Sequence, residues 1–188
     1  MPQARVTLVE REPTLAALAR ENAARNGLAE RVEVIEADIS APLGKAPLLQ
    51  ARAESFDVVL SNPPYHDAAA GTPAADPRKA GSHAMPAGSL ERWLRFMASM
   101  TKPGGAMALV HRAEALADVL DGCRRRYGAL RIQPLHPREG MPANRVLVAG
   151  VRGSRAPLSL CAGLVLHGEG GGFTPRVEAA LRHGAALV

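Results

Sequence analysis

FDVVLSNPPY, residues 56–65, is an apolar strand pattern that runs directly into Asn62-Pro63-Pro64-Tyr65. Phe56, Val58, Val59 and Leu60 supply the aromatic and β-branched character of a strand. The two prolines end it: each fixes its own φ, and Pro63 biases Asn62 toward an extended conformation. The predicted product is a stiff strand end with two acceptors, the Asn62 side-chain oxygen and the Pro63 carbonyl. Tyr65 adds an aromatic face on which an unstacked base can lie. Asn62, Pro63, Pro64 and Tyr65 are therefore the candidate catalytic residues. They suit an exocyclic amine, a poor nucleophile because its lone pair is delocalised, which an enzyme must engage by accepting from both N–H groups. Asn-Pro by itself is equally at home in a Pro-rich turn. The whole tetrapeptide after an apolar strand is what carries the functional reading.

Toward the N-terminus, residues 5–10 (RVTLVE) predict a buried strand ending in Glu10, and residues 13–26 a helix with Leu15, Leu18, Ala19 and Ala23 on one face and Gly27 as its stop. Residues 32–36 predict a second strand that delivers Ala37-Asp38-Ile39. This strand–helix–strand order is that of an α/β, Rossmann-like sheet, in which ligands bind beyond the carboxyl ends of the strands. Glu10, with Arg11 beside it, is placed to accept from two ribose hydroxyls. Asp38 is placed to accept from an adenine amino group, with Ile39 packing on the ring. Each acid taken singly could instead cap the turn that follows its strand.

On either side of this strand and tetrapeptide, residues 40–55 read as a loop or a poorly ordered helix, and the Ala-, Gly- and Pro-rich residues 66–88 as a loop suited to a flap over the target or to disorder. His66 and His83 have no carboxylate partner at a recognisable spacing and are read as non-catalytic. Residues 89–100 predict an amphipathic helix opened by Ser89, with Leu90, Trp93, Leu94 and Met97 as a core stripe. Pro103-Gly104-Gly105 predicts a turn into a strand at 106–110, followed by a helix at 113–127 with Arg124 to Arg126 in its last turn. Residues 130–134 and 145–151 predict an antiparallel edge hairpin. Arg131, Arg138, Arg145, Arg152 and Arg155 in this region are candidate RNA phosphate contacts, or simply a solvated charged face. The remainder, 156–188, is a tail with an extended stretch at 164–167, a glycine cluster and a short helix opened by Thr174 and Pro175.

The composition is consistent with a single domain of 188 residues built on Ala, Val and Leu, with 47% hydrophobic and only 3% aromatic residues. The formal net charge of +5 favours an anionic partner, although an arginine-rich chain can equally reflect genome base composition. No apolar run approaches the roughly 18 residues of a membrane span and no signal pattern opens the chain, so a cytoplasmic location is expected. Cys123 and Cys161 have no metal or redox spacing and are read as reduced core residues; no metal site is expected.

On these residues the chain resembles the class I S-adenosylmethionine (SAM) methyltransferases that modify amino groups, including N6-adenine enzymes and release-factor glutamine methyltransferases. From Val6 onward it is similar to the bacterial family that N6-methylates the adenosine beside the anticodon of a valine tRNA. The similar stretches are VTLVEREP, ARENAARNGLAERVEVIEAD, FDVVLSNPPY, KPGGAMALVHRAEAL, PLHPREGMPANRVLV and GSRAPLSL. The resemblance implies SAM as cofactor, tRNA as partner, Glu10, Arg11, Asp38, Ile39 and Asn62 at the cofactor, and Asn62 to Tyr65 at the target amine. Protein glutamine N5-methylation and a non-catalytic RNA-binding remnant are the alternatives.

One departure matters. Such a domain should begin with a strand and glycine-rich turn about 20 residues before the acid at Glu10. That piece is not found, so the sequence reads as a single, N-terminally incomplete domain, expected to be inactive alone or to pair with another copy across the gap. The cluster 168–172 is the one candidate for a permuted glycine loop, but it resembles the family's own C-terminal segment.

Overall fold

The computed structural model describes residues 3–63, 66–67, 84–85 and 88–186, which fall into two compact units, 1–55 and 56–188. In the first, β1 (Val6–Glu10) and β2 (Val32–Glu36) pair in parallel, joined by α1 (Pro13–Arg25). A right-handed crossover through a helix is the ordinary way to join parallel strands, and here α1 begins at Pro13, whose fixed φ suits a first helical position. The face of α1 differs in part from expectation. Ala23 is buried as expected, together with Ala16, whereas Leu15 and Leu18 are half exposed. Alanines let the helix axis approach a two-stranded sheet closely, and the leucines, one position before and two after Ala16, then point aside. Residues 40–55 are more ordered than a loop: a 3₁₀ turn (Leu43–Lys45) leads into the single-turn helix α2 (Pro47–Gln50), which buries Leu49.

The second unit holds the main sheet. β3 (Phe56–Ser61) runs parallel to β6 (Thr101–Arg112), β6 antiparallel to β8 (Arg145–Arg152), and β8 antiparallel to β7 (Tyr127–His136). Two short tail strands, β9 (Ser159–Leu160) and β10 (Leu164–Val165), pair in parallel with the outer edge of β7. The predicted α/β architecture with an antiparallel edge hairpin is thus present. The backbone pairs β4 (His66–Asp67) and β5 (Ala84–Met85) stand apart from this sheet. Among the described strands, β1 pairs only with β2 and β3 only with β6.

One face of the main sheet is covered by α3 (Ser89–Met100) and α4 (Leu116–Cys123). Leu94, Met97, Met107, Leu109, Val119, Cys123, Ile132 and Val148 form the core between them, with Leu90 and Trp93 at its border as the stripe predicts. Strand alternation puts Val58 and Leu60 on the other face, where they are 53% and 74% exposed.

Several boundaries move for identifiable reasons. Gly88, not Ser89, is the N-cap of α3, in a left-handed conformation that glycine adopts without strain. Pro103-Gly104-Gly105 does not precede the strand but lies within it: Phe56 pairs with Thr101 and Val58 with Ala106, so the extra residues bulge out at Gly104, where φ is 75°. The helix expected at 113–127 ends at Cys123. Arg125 takes φ 67° and Tyr127 already belongs to β7, its hydroxyl 3.2 Å from Thr101 Oγ1. Arg126 Nη1 still donates to the Gly122 carbonyl at 2.6 Å, so one arginine caps the helix end from outside it. Cys123 is buried, which pushes its thiol up to about 12, while Cys161 is only half buried. No helix among the described residues is long and apolar enough to cross a membrane.

Candidate functional site

β3 carries the candidate catalytic end. Alternation along Phe56–Ser61 places Val59 and Ser61 toward the helices, and Asn62 emerges exposed from the strand's carboxyl end. Pro63 is fully buried, as a residue that anchors a rigid turn should be. Pro64 and Tyr65 lie outside the described residues, as do His83 and most of the predicted flap.

A contact the sequence reading missed fixes this strand end. The Trp93 indole N–H donates to Ser61 Oγ at 2.7 Å, tying β3 to α3 immediately before Asn62. The stripe of α3 reads as core, and Trp93 does border the core; the available signal was its N–H, which a half-buried tryptophan must spend on an acceptor.

The neighbouring strand ends are basic. His111 and Arg112 close β6, Arg145 opens β8 directly opposite Arg112, and the β7–β8 connection carries Arg138. His111 is buried and held below the usual imidazole range, first by burial and then by Arg112 and Arg145. The five arginines considered for phosphate contacts separate in space. Arg145 and Arg138 lie at the Asn62 end of the sheet and Arg131 is exposed in mid-strand. Arg152 sits at the opposite end, where it donates to the Thr101 carbonyl, and Arg155 follows it.

In residues 1–55 the two acids stand at adjacent strand ends, Glu10 paired in register with Glu36 and its carbonyl accepting from Ala37 N at 3.0 Å. Both make the turn contacts weighed as an alternative. Glu10 Oε1 accepts from Glu12 N at 2.9 Å, and Asp38 Oδ1 accepts from Ser40 N at 2.8 Å and Ser40 Oγ at 2.6 Å. Each acid uses one oxygen in its turn and keeps the other as an acceptor. Arg11, Glu36, Ala37, Asp38, Ala41, Lys45 and Ala46 line an open cleft of about 360 Å³, with Ile39 half buried next to Asp38.

The Ser40 hydroxyl holds Asp38 below the usual carboxylate range, with Arg11 contributing and burial opposing. Ser40→Ala is expected to raise the Asp38 pKa, read by NMR titration of its carboxyl carbon. The sign is that of a depressed acid: the interaction contributes above the unfolded-state pKa and is lost as pH falls through the folded one. An unmoved midpoint would show that the turn N–H and Arg11 set it without the hydroxyl.

Comparison with known proteins gives one family match and three similar proteins. Residues 1–129 match the family profile described as a methyltransferase domain. A release factor glutamine methyltransferase from Moorella thermoacetica is 36% identical over 117 residues, 58% of this chain. The chain spans 38% of the length of that curated relative. The crystal structure of a predicted O-methyltransferase from Agrobacterium tumefaciens superposes with a TM-score of 0.78 at 32% identity, covering 100% of this chain and 81% of that one. A tRNA (m1A58) methyltransferase from Aquifex aeolicus, 14% identical, shares the fold with a TM-score of 0.52 over 80% of this chain and 54% of its own.

Proposed function

The chain belongs to the methyltransferase-domain family, and from that premise we propose that it transfers the methyl group of SAM to the nitrogen of a planar amino group. The observation that carries this reading is the exposed Asn62 followed by buried Pro63 at the carboxyl end of β3. The Asn62 oxygen and the Pro63 carbonyl accept the two N–H groups, which orients the nitrogen lone pair without a general base. Tyr65 offers a face for a planar substrate.

The groups in residues 1–55 fit the adenosine half of SAM by their chemistry: Glu10 for ribose hydroxyls, with Arg11 beside it, Asp38 for the adenine amine, and Ile39 for the ring. Bound SAM supplies a methyl group on a sulfonium, open to in-line displacement. The protein's part is positioning, which can supply much of the barrier reduction.

Two acceptors carry such a nitrogen. The carboxamide of a protein glutamine is supported by the Moorella relative, whose name states that substrate. The N6 amine of an adenine in tRNA, by resemblance the anticodon-adjacent adenosine of a valine tRNA, is supported by charge. Residues 56–188 carry sixteen Lys and Arg against ten Asp and Glu, whereas residues 1–55 carry seven against eight. A hydroxyl, the acceptor that O-methylation as predicted for the Agrobacterium protein would use, has one hydrogen and would leave one of the two hydrogen-bond acceptors unused.

The test is a calorimetric titration with SAM, using Glu10→Ala as control, followed by mass spectrometry of a glutamine peptide and of tRNA incubated with labelled SAM. Micromolar binding that Glu10→Ala abolishes, with N5-methylglutamine or N6-methyladenine as product, is the expected result. Absence of binding would make this chain a non-catalytic RNA-binding form, and O-methylation alone would overturn the amino-group assignment.

A further inference from the structure

Arg112 and Arg145 are directly opposed on adjacent antiparallel strands, at the edge of the sheet from which Asn62 emerges. Like charges directly across a strand pair destabilise it, so an arrangement that keeps two guanidiniums there calls for a reason. Register supplies the neighbourhood. Ser61 of β3 partners Leu109 of β6, and Arg112 of β6 partners Arg145 of β8. Strands lie roughly 5 Å apart and rise about 3.3 Å per residue, so the two arginines stand about one and two strand spacings to the side of Asn62 and two residues further along the sheet. Alternation puts both on the same face of the sheet as Leu60, Ala108 and Ala149, and the exposed Arg131 joins that face through its partner Ala149.

From this geometry we infer that Arg112 and Arg145 form a phosphate-binding pair, which seats a backbone phosphate of an RNA acceptor beside Asn62-Pro63. A phosphate bridging the two guanidiniums converts their mutual repulsion into binding, and planar guanidinium forks match its oxygens bidentately. The acids nearby include Glu114, which ion-pairs with Arg112, and Asp118, whose charge acts on His111, with Glu139 in the β7–β8 connection; Arg145 also donates to the Asn144 carbonyl at 3.1 Å. His111, one residue before Arg112, turns to the core face of the sheet, and its basicity is depressed first by burial, with both arginines adding and Asp118 opposing. The inference rests on the nucleic-acid reading of the acceptor. It assigns recognition to residues that touch the acceptor's backbone and leaves the methyl transfer itself to Asn62.

The experiment is fluorescence anisotropy with a fluorescein-labelled RNA stem-loop between 50 and 200 mM salt, comparing the unaltered chain with R112Q/R145Q and with R124Q/R125Q as a control at the far end of α4. Loss of the one bridged single-strand phosphate contact should make the slope of log K against log salt shallower by about 0.7 and weaken binding about tenfold or more at the lower salt, with the control unchanged. R112K/R145K keeps the charge and secures the comparison if the glutamine variant melts early; it should retain the slope and lose part of the affinity. An equal effect of the control, an unchanged slope, or no RNA binding by the unaltered chain would overturn the assignment. Glutamine-peptide methylation separates the two claims. If R112Q/R145Q loses peptide methylation in step with RNA binding, the pair is not a phosphate reader. If only RNA binding falls and tRNA is the acceptor methylated, the pair stands; methylation of the peptide and not of tRNA overturns the acceptor reading on which it rests.

Discussion

Asn62→Ala is expected to lower the methyl-transfer rate by about 10²–10³-fold, the usual cost of removing one preorganised polar partner of the reacting group, while SAM affinity changes far less. The reasoning separates ground-state from transition-state contacts. Asn62 stands at the end of β3, exposed, and in the proposed reaction its oxygen accepts from the amine that becomes the nucleophile. As the N–C bond forms, positive charge develops on that nitrogen and its N–H groups become stronger donors, so the acceptor gains value along the reaction coordinate. Its loss therefore falls on kcat. The adenosine of SAM is assigned to Glu10 and Asp38 and loses little by the change. Single-turnover transfer from labelled SAM, paired with calorimetric SAM affinity, reads the two quantities apart. Equal turnover in the variant would remove Asn62 from catalysis. Loss of SAM binding in proportion to rate would make it a cofactor ligand instead.

The parts of this molecule that sequence conveys are those decided locally. The apolar run before Asn62, Pro63 after it, and the acids at the ends of two β-branched strands are set by steric and backbone rules over a few residues, and each of these emerges in place. What pattern alone misassigns depends on distant partners. Leu15 and Leu18 satisfy helical periodicity, yet the face of α1 is chosen by how closely it can approach β1 and β2, and alanines won. Pro103-Gly104-Gly105 has the composition of a turn, but pairing of Phe56 with Thr101 recruits the stretch into β6 and leaves it as a bulge. The parallel addition of β9 and β10 to β7 has no local signature; it is stabilised by contacts such as Gln133 to the Ala162 carbonyl and Cys161 N to the Ile132 carbonyl at 2.8 Å. At the site, the Asn62 motif was legible as chemistry, whereas the Trp93–Ser61 bond and the Arg112–Arg145 opposition appear only once register is known.

The largest stability effect should come from the contact between α3 and α4. Leu94 is fully buried, and a Cβ built on Gly122 would overlap its Cδ1, so the helices approach because Gly122 has no side chain. Leu94→Ala should cost about 2–5 kcal/mol as a transfer loss plus an unfilled cavity. Gly122→Ala pulls in two directions: overpacking against Leu94 costs about 1–3 kcal/mol, and the gain in helix propensity returns about 1. The two changes address the same space. With Leu94 truncated, the new methyl group of Gly122→Ala enters the vacated volume and its own steric cost disappears, so the double variant should be more stable than Leu94→Ala alone. Urea unfolding of all four proteins, followed by the fluorescence of Trp93, reports on the unit that contains both helices, since Trp93 is the chain's one tryptophan. A coupling of about 0.5–3 kcal/mol is expected. Additive effects would mean that the two residues do not share a contact surface and that the spacing of α3 and α4 is fixed elsewhere, for example by Arg126, which bridges Glu91 of α3 at 2.8 Å and the Gly122 carbonyl of α4.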